Sequence, residues 1–234
     1  MTKVVVLAGE GEYESDETMR PVADAVAADL SATLDYCTPS VLADMPDFPV
    51  SSFGGLDTLA DTDLLILFTR FRVLPDDEMR ALADYLERGG ALLALRTSNH
   101  AFHPVIDDEW SGWASTFADR YLGSAWSTHH GHTSRTRVTV RSEHPITRGL
   151  PPAFDVTSWL YVNRPPADAT ELLWGDPVDT EIPPQPSPVA WVRELGRQRI
   201  FYTSLGSQPD LRQPEVIALL RNAARWCVGR GAEA

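Results

Sequence analysis

Three short, unbroken apolar runs limit what this chain can fold into. They are Val4-Val5-Val6-Leu7-Ala8, Leu64-Leu65-Ile66-Leu67-Phe68 and Ala91-Leu92-Leu93-Ala94-Leu95. Runs this short and this continuous fit strands covered on both faces, the usual state of parallel strands. The segments between them carry helical spacing. Val22, Ala25, Val26 and Leu30 recur within 17–30, and Leu82, Tyr85 and Leu86 follow Pro75-Asp76-Asp77. A proline and two acids suit the positive start of a helix, and Gly89-Gly90 ends it. Residues 32–37 read as a second strand. This β-α-β-α-β rhythm predicts an α/β fold: a doubly wound, mainly parallel sheet with helices on both faces.

The second half is less regular. A Pro-rich loop is expected over 45–55, and residues 98–132 show no clear periodicity. Residues 136–141 alternate as a strand does. The stretch 151–188 holds nine prolines and predicts short strands and loops. Residues 188–193 and 199–203 predict a hairpin around Gly196. Residues 212–228 predict the last helix, with Val216, Leu219, Leu220 and Ala223 on one face. At 234 residues the chain reads as a single domain, 1–234.

Charge and cysteine usage narrow the partners. The net charge of −13 repels nucleic-acid phosphates and anionic lipid, so neither nucleic acid nor membrane is expected as a partner. No apolar run approaches the ~20 residues of a membrane helix. The N-terminus lacks a charged start, a long apolar stretch and a small-residue cleavage site. With only two cysteines, Cys37 and Cys227, a disulfide scaffold is not expected and a cytoplasmic address is. A homo-oligomer is left open.

Open parallel sheets bind ligands beyond the carboxyl ends of their strands. The first strand is followed there by Glu10, Glu12 and Tyr13, and the third by Thr69, Arg70 and Arg72. The fourth delivers Arg96, Thr97, Ser98, Asn99, His100 and His103, and the late strand ending at Thr203 delivers Ser204 and Ser207. Convergence of these groups on one rim is the functional expectation. Arg96 can orient a carboxylate or sugar hydroxyls through its planar fork, or pair with Glu10 or Glu12. Glu12 can serve as a general base if burial raises its pKa.

All six histidines fall between residues 100 and 144, and His129-His130-Gly131-His132 is dense. In an extended stretch His130 and His132 project to one side and His129 to the other. Two imidazoles so placed can share a divalent metal such as zinc, with His100 or Glu12 as a third ligand. The alternative is a hydrogen-bonding, substrate-facing or surface loop. Trp110, Trp113 and Trp126 can offer a flat face to sugar rings, whereas Trp159, Trp174, Trp191 and Trp226 read as core.

Several chemistries are excluded. Neither cysteine follows the fourth strand, so cysteine-dependent amidotransfer or proteolysis is not expected. Arg96-Thr97-Ser98-Asn99-His100 lacks the glycines of a nucleophile elbow. Gly9-Glu10-Gly11 lacks the third glycine of a dinucleotide loop, and no phosphate-binding loop is present.

At these same residues the chain resembles the trehalose-utilisation (ThuA-like) family of the class I glutamine amidotransferase-like superfamily. The carriers are GEGEY at 9–13, LFTRFRVLP at 67–75, ALRTSNHAF at 94–102, HHGH at 129–132, HPITRGL at 144–150, PVAWVRELGRQRIFYTSLGS at 188–207 and PEV at 214–216. The resemblance implies a flavodoxin-like sheet whose elbow lacks the amidotransferase cysteine. It also implies a role in carbohydrate metabolism, on a sugar or a keto-sugar. The matching site positions are Glu12, Tyr13, Arg70, Arg96, His100, His129 and His130. Relatives often carry histidine after the TSLG turn, where Ser207 stands here. The leading expectation is therefore acid/base chemistry of the isomerase or lyase/hydrolase type. Glu12, Arg96 and His100 are its catalytic candidates, and Tyr13, Arg70, Asn99, His103, His129 and Ser207 bind substrate. A non-catalytic sugar-binding or regulatory domain and a metal-dependent hydrolase are the alternatives.

Overall fold

The computed structural model describes residues 1–45, 48–105, 108–180 and 185–230. The three apolar runs become β1 (Lys3–Gly9), β5 (Leu64–Thr69) and β6 (Ala91–Leu95). The strands between and after them are β2 (Thr33–Cys37), β3 (Ser40–Asp44), β4 (Pro49–Ser52), β7 (Arg135–Val140), β8 (Ala153–Val156), β9 (Thr170–Val178), β10 (Ser187–Leu195) and β11 (Gln198–Thr203). Helices α1 (Ser15–Thr18), α2 (Arg20–Leu30), α3 (Asp76–Glu87), α4 (Ser111–Phe117) and α5 (Pro214–Cys227) connect them.

Nine strands form one sheet in the order β2-β1-β5-β6-β11-β10-β9-β7-β8. The first five are mutually parallel, and the rest pair antiparallel. The parallel half follows the 2-1-3-4-5 order of flavodoxin-like sheets. Two-fold side-chain alternation splits each central run between two cores. Val4, Val6, Ala8, Ile66, Phe68, Leu93 and Leu95 pack with α2 and α5. Val5, Leu7, Leu65, Leu67, Leu92 and Ala94 pack with α3 and the helical segment after residue 111. Both faces are thus covered by helices, which is why the runs contain no polar residue. A buried Asp29 on α2 pairs with Arg221 and Arg225 on α5 and ties those helices together.

The sequence reading departs from the structure in three places. The Pro-rich loop expected over 45–55 includes β4, which pairs antiparallel with β3; residues 46–47 lie outside the described ones. Proline is tolerated there because Pro49 opens a strand of a two-stranded outlying sheet. The aperiodic stretch 98–132 contains α4, continued by a wide helical turn over Ala118–Leu122. Its signal was Trp113, Phe117 and Tyr121 at i, i+4 and i+8, masked by Ser, Gly and Thr between them. The stretch 151–188 carries the nine-residue β9; residues 181–184 lie outside the described ones. No helix among the described residues is long and apolar enough to cross a membrane.

Candidate functional site

The loops after β1, β5 and β6 meet the segments 126–132 and 159–161 around a cavity of about 210 Å3. Glu12, Tyr13, Arg70, Phe71, Thr97, His100, Trp126, His129, His132, Trp159 and Tyr161 line it. Rings dominate the wall. Among the charged side chains that line it, Glu12 pairs with Arg70. Of the groups expected at the carboxyl rim of the parallel strands, Glu12, Tyr13, Arg70, Thr97 and His100 meet at this cavity, and His129 joins them from the loop before β7.

The loop after β1 is organised by Glu10. Its buried carboxylate accepts from the backbone N–H groups of Glu12 (3.1 Å) and Tyr13 (2.6 Å) and lies 3.8 Å from the Arg70 guanidinium. Burial pushes this carboxyl above its usual range, against those donors and the arginine. Glu10 thus shapes the loop, while Glu12 faces the cavity.

Arg96 follows β6 directly, with φ +42°, in the left-handed region that side chains rarely adopt. Phe71, whose backbone N–H donates to the His100 carbonyl at 2.9 Å, has φ +48°. Such strain clusters at functional sites. The turn drives the Arg96 side chain inward to 0% exposure. Its guanidinium lies 4.8 Å from the Tyr13 ring, 4.7 Å from Trp159 and 4.6 Å from Tyr161. One nitrogen donates to the Ser204 carbonyl at 2.8 Å. Arg96 therefore sits beneath the aromatic floor. Among the described residues it pairs with neither Glu10 nor Glu12, so the ion pair weighed for it belongs to Arg70 instead.

His100 Nδ1 lies 2.8 Å from the Asn99 amide oxygen. With that oxygen toward the ring, Nδ1 carries the proton and Nε2 presents a lone pair. Burial, then the charges of Arg70 and Arg96, pushes the imidazole down to about 3. His100 is thus neutral across the physiological range. The unfolded chain takes up a proton at this residue below its ordinary 6.5, and the folded chain does so only near 3. Stability is therefore expected to fall as pH drops through that window, by at most ~1.4 kcal/mol per pH unit from this group. Urea melts of His100→Gln at acid and neutral pH should show that part of the dependence removed.

His129 Nδ1 donates to the His130 carbonyl at 2.6 Å, which leaves its Nε2 as an acceptor. The pairing expected in this motif is corrected. A turn closed by Ser134 N–H to the Gly131 carbonyl breaks the extended geometry. His129 and His132 come together, ring centroids 4.9 Å apart, and both line the cavity. His130 is 3% exposed, and both its ring nitrogens lack a partner. Among the described residues no group of three or more His, Cys, Asp or Glu side chains is placed to hold a metal ion. The zinc expectation on His130 and His132 thus has no matching donor set, and no step below runs through a metal.

Three other expected residues lie off the cavity wall. His103 stacks on Phe48 at 4.2 Å and lines a neighbouring crevice with Arg72 and Trp110. Asn99 is buried, with its amide oxygen on His100 rather than on the cavity wall. Ser207 is buried, its hydroxyl 2.6 Å from that of Thr157. Gly206 turns the chain there at φ +134°, which favours glycine. Asp210, which sequence reasoning missed, accepts from the backbone N–H groups of Thr157 (2.7 Å) and Ser158 (3.1 Å) and from both their hydroxyls. This network fixes the chain leading into Trp159, whose ring packs 4.5 Å from His132. Trp159, expected in the core, lines the cavity, as does Trp126. Trp110 and Trp113, read as sugar-facing, pack against the helical side of the sheet.

A family model described as trehalose utilisation, ThuA, matches residues 3–227. The chain belongs to this family. Solved structures agree on the fold. A ThuA-like protein of Parabacteroides merdae superposes with a TM-score of 0.70 at 16% identity, covering 97% of this chain and 90% of that one. One from Bacteroides uniformis gives 0.66 at 18% identity, covering 97% and 91%. A glutamine amidotransferase of Thermotoga maritima gives 0.52 at 12% identity, covering 97% and 98%. A comparison with curated proteins finds no match. Family membership carries a carbohydrate-related role, and in this member Arg96 occupies the turn directly after β6.

Proposed function

We propose that this cavity binds one ring of an oxidised sugar and moves a proton next to its carbonyl. Isomerisation and β-elimination both begin with that step, so the reading covers both reaction types. The observation that carries it is the sorting of polar groups within an aromatic wall. Acceptors are Glu12 and the Nε2 atoms of His100 and His129, and donors are Arg70 and Thr97. Sugar hydroxyls donate to the first set, and a ring carbonyl accepts from the second. The rings of Trp126, Trp159 and Tyr161 suit the C–H faces of a pyranose. At about 210 Å3 the cavity is smaller than the roughly 300–1,000 Å3 of drug-sized ligand sites, which favours a single ring at a time.

In this reading Glu12 takes the proton from carbon. Arg70 pairs with its carboxylate and aims it, and Glu10 fixes the loop that carries it. His100 stays neutral and accepts a hydroxyl hydrogen bond. A screen in D2O of 3-keto disaccharides beside their unoxidised parents, read by mass spectrometry, tests this. Deuterium uptake by a keto-sugar alone is expected, and Glu12→Gln should slow it by about 10²–10⁴-fold. Tight sugar binding with no exchange and no conversion would mark the protein as a binding or regulatory domain instead.

A further inference from the structure

The neighbourhood of the turn after β6 is crowded with buried polar atoms that lack a partner. They include Thr69 Oγ1, Arg70 Nε, Arg96 Nε and one terminal nitrogen, Thr97 Oγ1 and Asn99 Nδ2. Buried polar atoms are ordinarily hydrogen-bonded, so such a concentration calls for an explanation. Of these residues, Arg70 and Thr97 line the cavity. Arg70 is already committed to Glu12. Thr97 is 1% exposed, and its hydroxyl has no partner.

A valine would fill the same volume without burying an idle hydroxyl. By packing alone, threonine is the less stable choice at this point. The backbone around it is strained as well, since Arg96 at φ +42° sets the direction in which Thr97 leaves the strand. Two costs, the strained backbone of Arg96 and the unpartnered hydroxyl of Thr97, sit side by side at the cavity. Both are explained if the hydroxyl is kept free for a bound oxygen.

We propose that Thr97 is a catalytic residue that donates its hydroxyl hydrogen to the carbonyl oxygen of the bound sugar. This rests on the proton-transfer reading given above. When the Glu12 carboxylate removes the proton from the neighbouring carbon, the C–H pair becomes the new C=C bond. The C=O π pair moves onto the oxygen, and Thr97 meets the charge that develops there. Return of the proton from the Glu12 carboxyl to carbon restores the carbonyl and the free carboxylate. A fixed donor of this kind acts on the oxyanion more than on the ground-state carbonyl, so its loss falls on kcat.

The test compares Thr97→Val with Thr97→Ser for deuterium exchange into a keto-sugar that the wild type exchanges. The valine variant is expected to lose about 10²–10³-fold in kcat, with KM within about threefold and a melting temperature no lower than wild type. The serine variant should stay within about tenfold of wild type. Should the valine variant fail to fold, Thr97→Ala against Thr97→Ser carries the same comparison, because the two differ by the hydroxyl alone. A valine variant as fast as wild type, or equal losses in valine and serine, would overturn the role while leaving the proton-transfer reading intact. A wild type that exchanges no keto-sugar removes that reading, and the role of Thr97 with it.

Discussion

His100→Ala is expected to lower kcat/KM on a converted keto-sugar by about tenfold while the protein stays folded. The reason is positional. His100 holds one nitrogen on Asn99 at 2.8 Å and turns the other toward a cavity it shares with Glu12 and His129. Removing the ring takes away an acceptor that no neighbour replaces, since His129 is already oriented by the His130 carbonyl. The fold has less at stake, because the residue is half-buried at the sheet rim and lies outside both helix-covered cores. Melting temperature and kcat/KM measured on the same preparation separate the two effects. Full activity in the alanine variant on a confirmed substrate would remove His100 from the mechanism.

Arg96 is expected to divide stability from activity. Its guanidinium is fully buried, makes no ion pair among the described residues and leaves two nitrogens without partners. The three rings return up to about 2 kcal/mol each when desolvated. Stripping water from an uncompensated charge costs several kcal/mol. These nearly cancel, so Arg96→Met, which keeps the volume, should melt within a few degrees of wild type. Arg96→Ala leaves a cavity instead and should lose about 3 kcal/mol. In a chain of this size that shifts the melting temperature by roughly 6–12 °C. Both variants should lower kcat, because the guanidinium supports the Tyr13, Trp159 and Tyr161 rings that line the cavity. NMR titration of His100 in the methionine variant should show its pKa raised. An unmoved titration with full activity would make Arg96 a packing element only.

The sequence made the parallel half of the sheet legible because the runs 4–8, 64–68 and 91–95 within β1, β5 and β6 are wholly apolar and packed on both faces. It also located the rim, since Glu12, Tyr13, Arg70 and His100 follow those strands directly. Legibility ended where position depends on distant chain. Trp159 and Tyr161 reach the cavity because Asp210 grips Thr157 and Ser158, a contact across more than fifty residues. His132 displaced His130 because one turn at 131–134 reverses which side each ring faces. Ser207 and Arg96 were placed correctly along the chain but not in depth. Adjacency to a strand end says nothing about whether a side chain points into the opening or under it.

The bond from Arg96 to the Ser204 carbonyl and the grip of Asp210 on residues 157–158 have a consequence for how the protein is made. Both partners lie near the C-terminal end, on segments that join the sheet only after β11 pairs with β6. During synthesis the first four parallel strands can assemble early, whereas contacts between residues this far apart in sequence close slowly. A ribosome-stalled fragment ending before residue 200 would therefore hold a partial nucleus without the rim cavity, and the cavity would arise as a late event of folding.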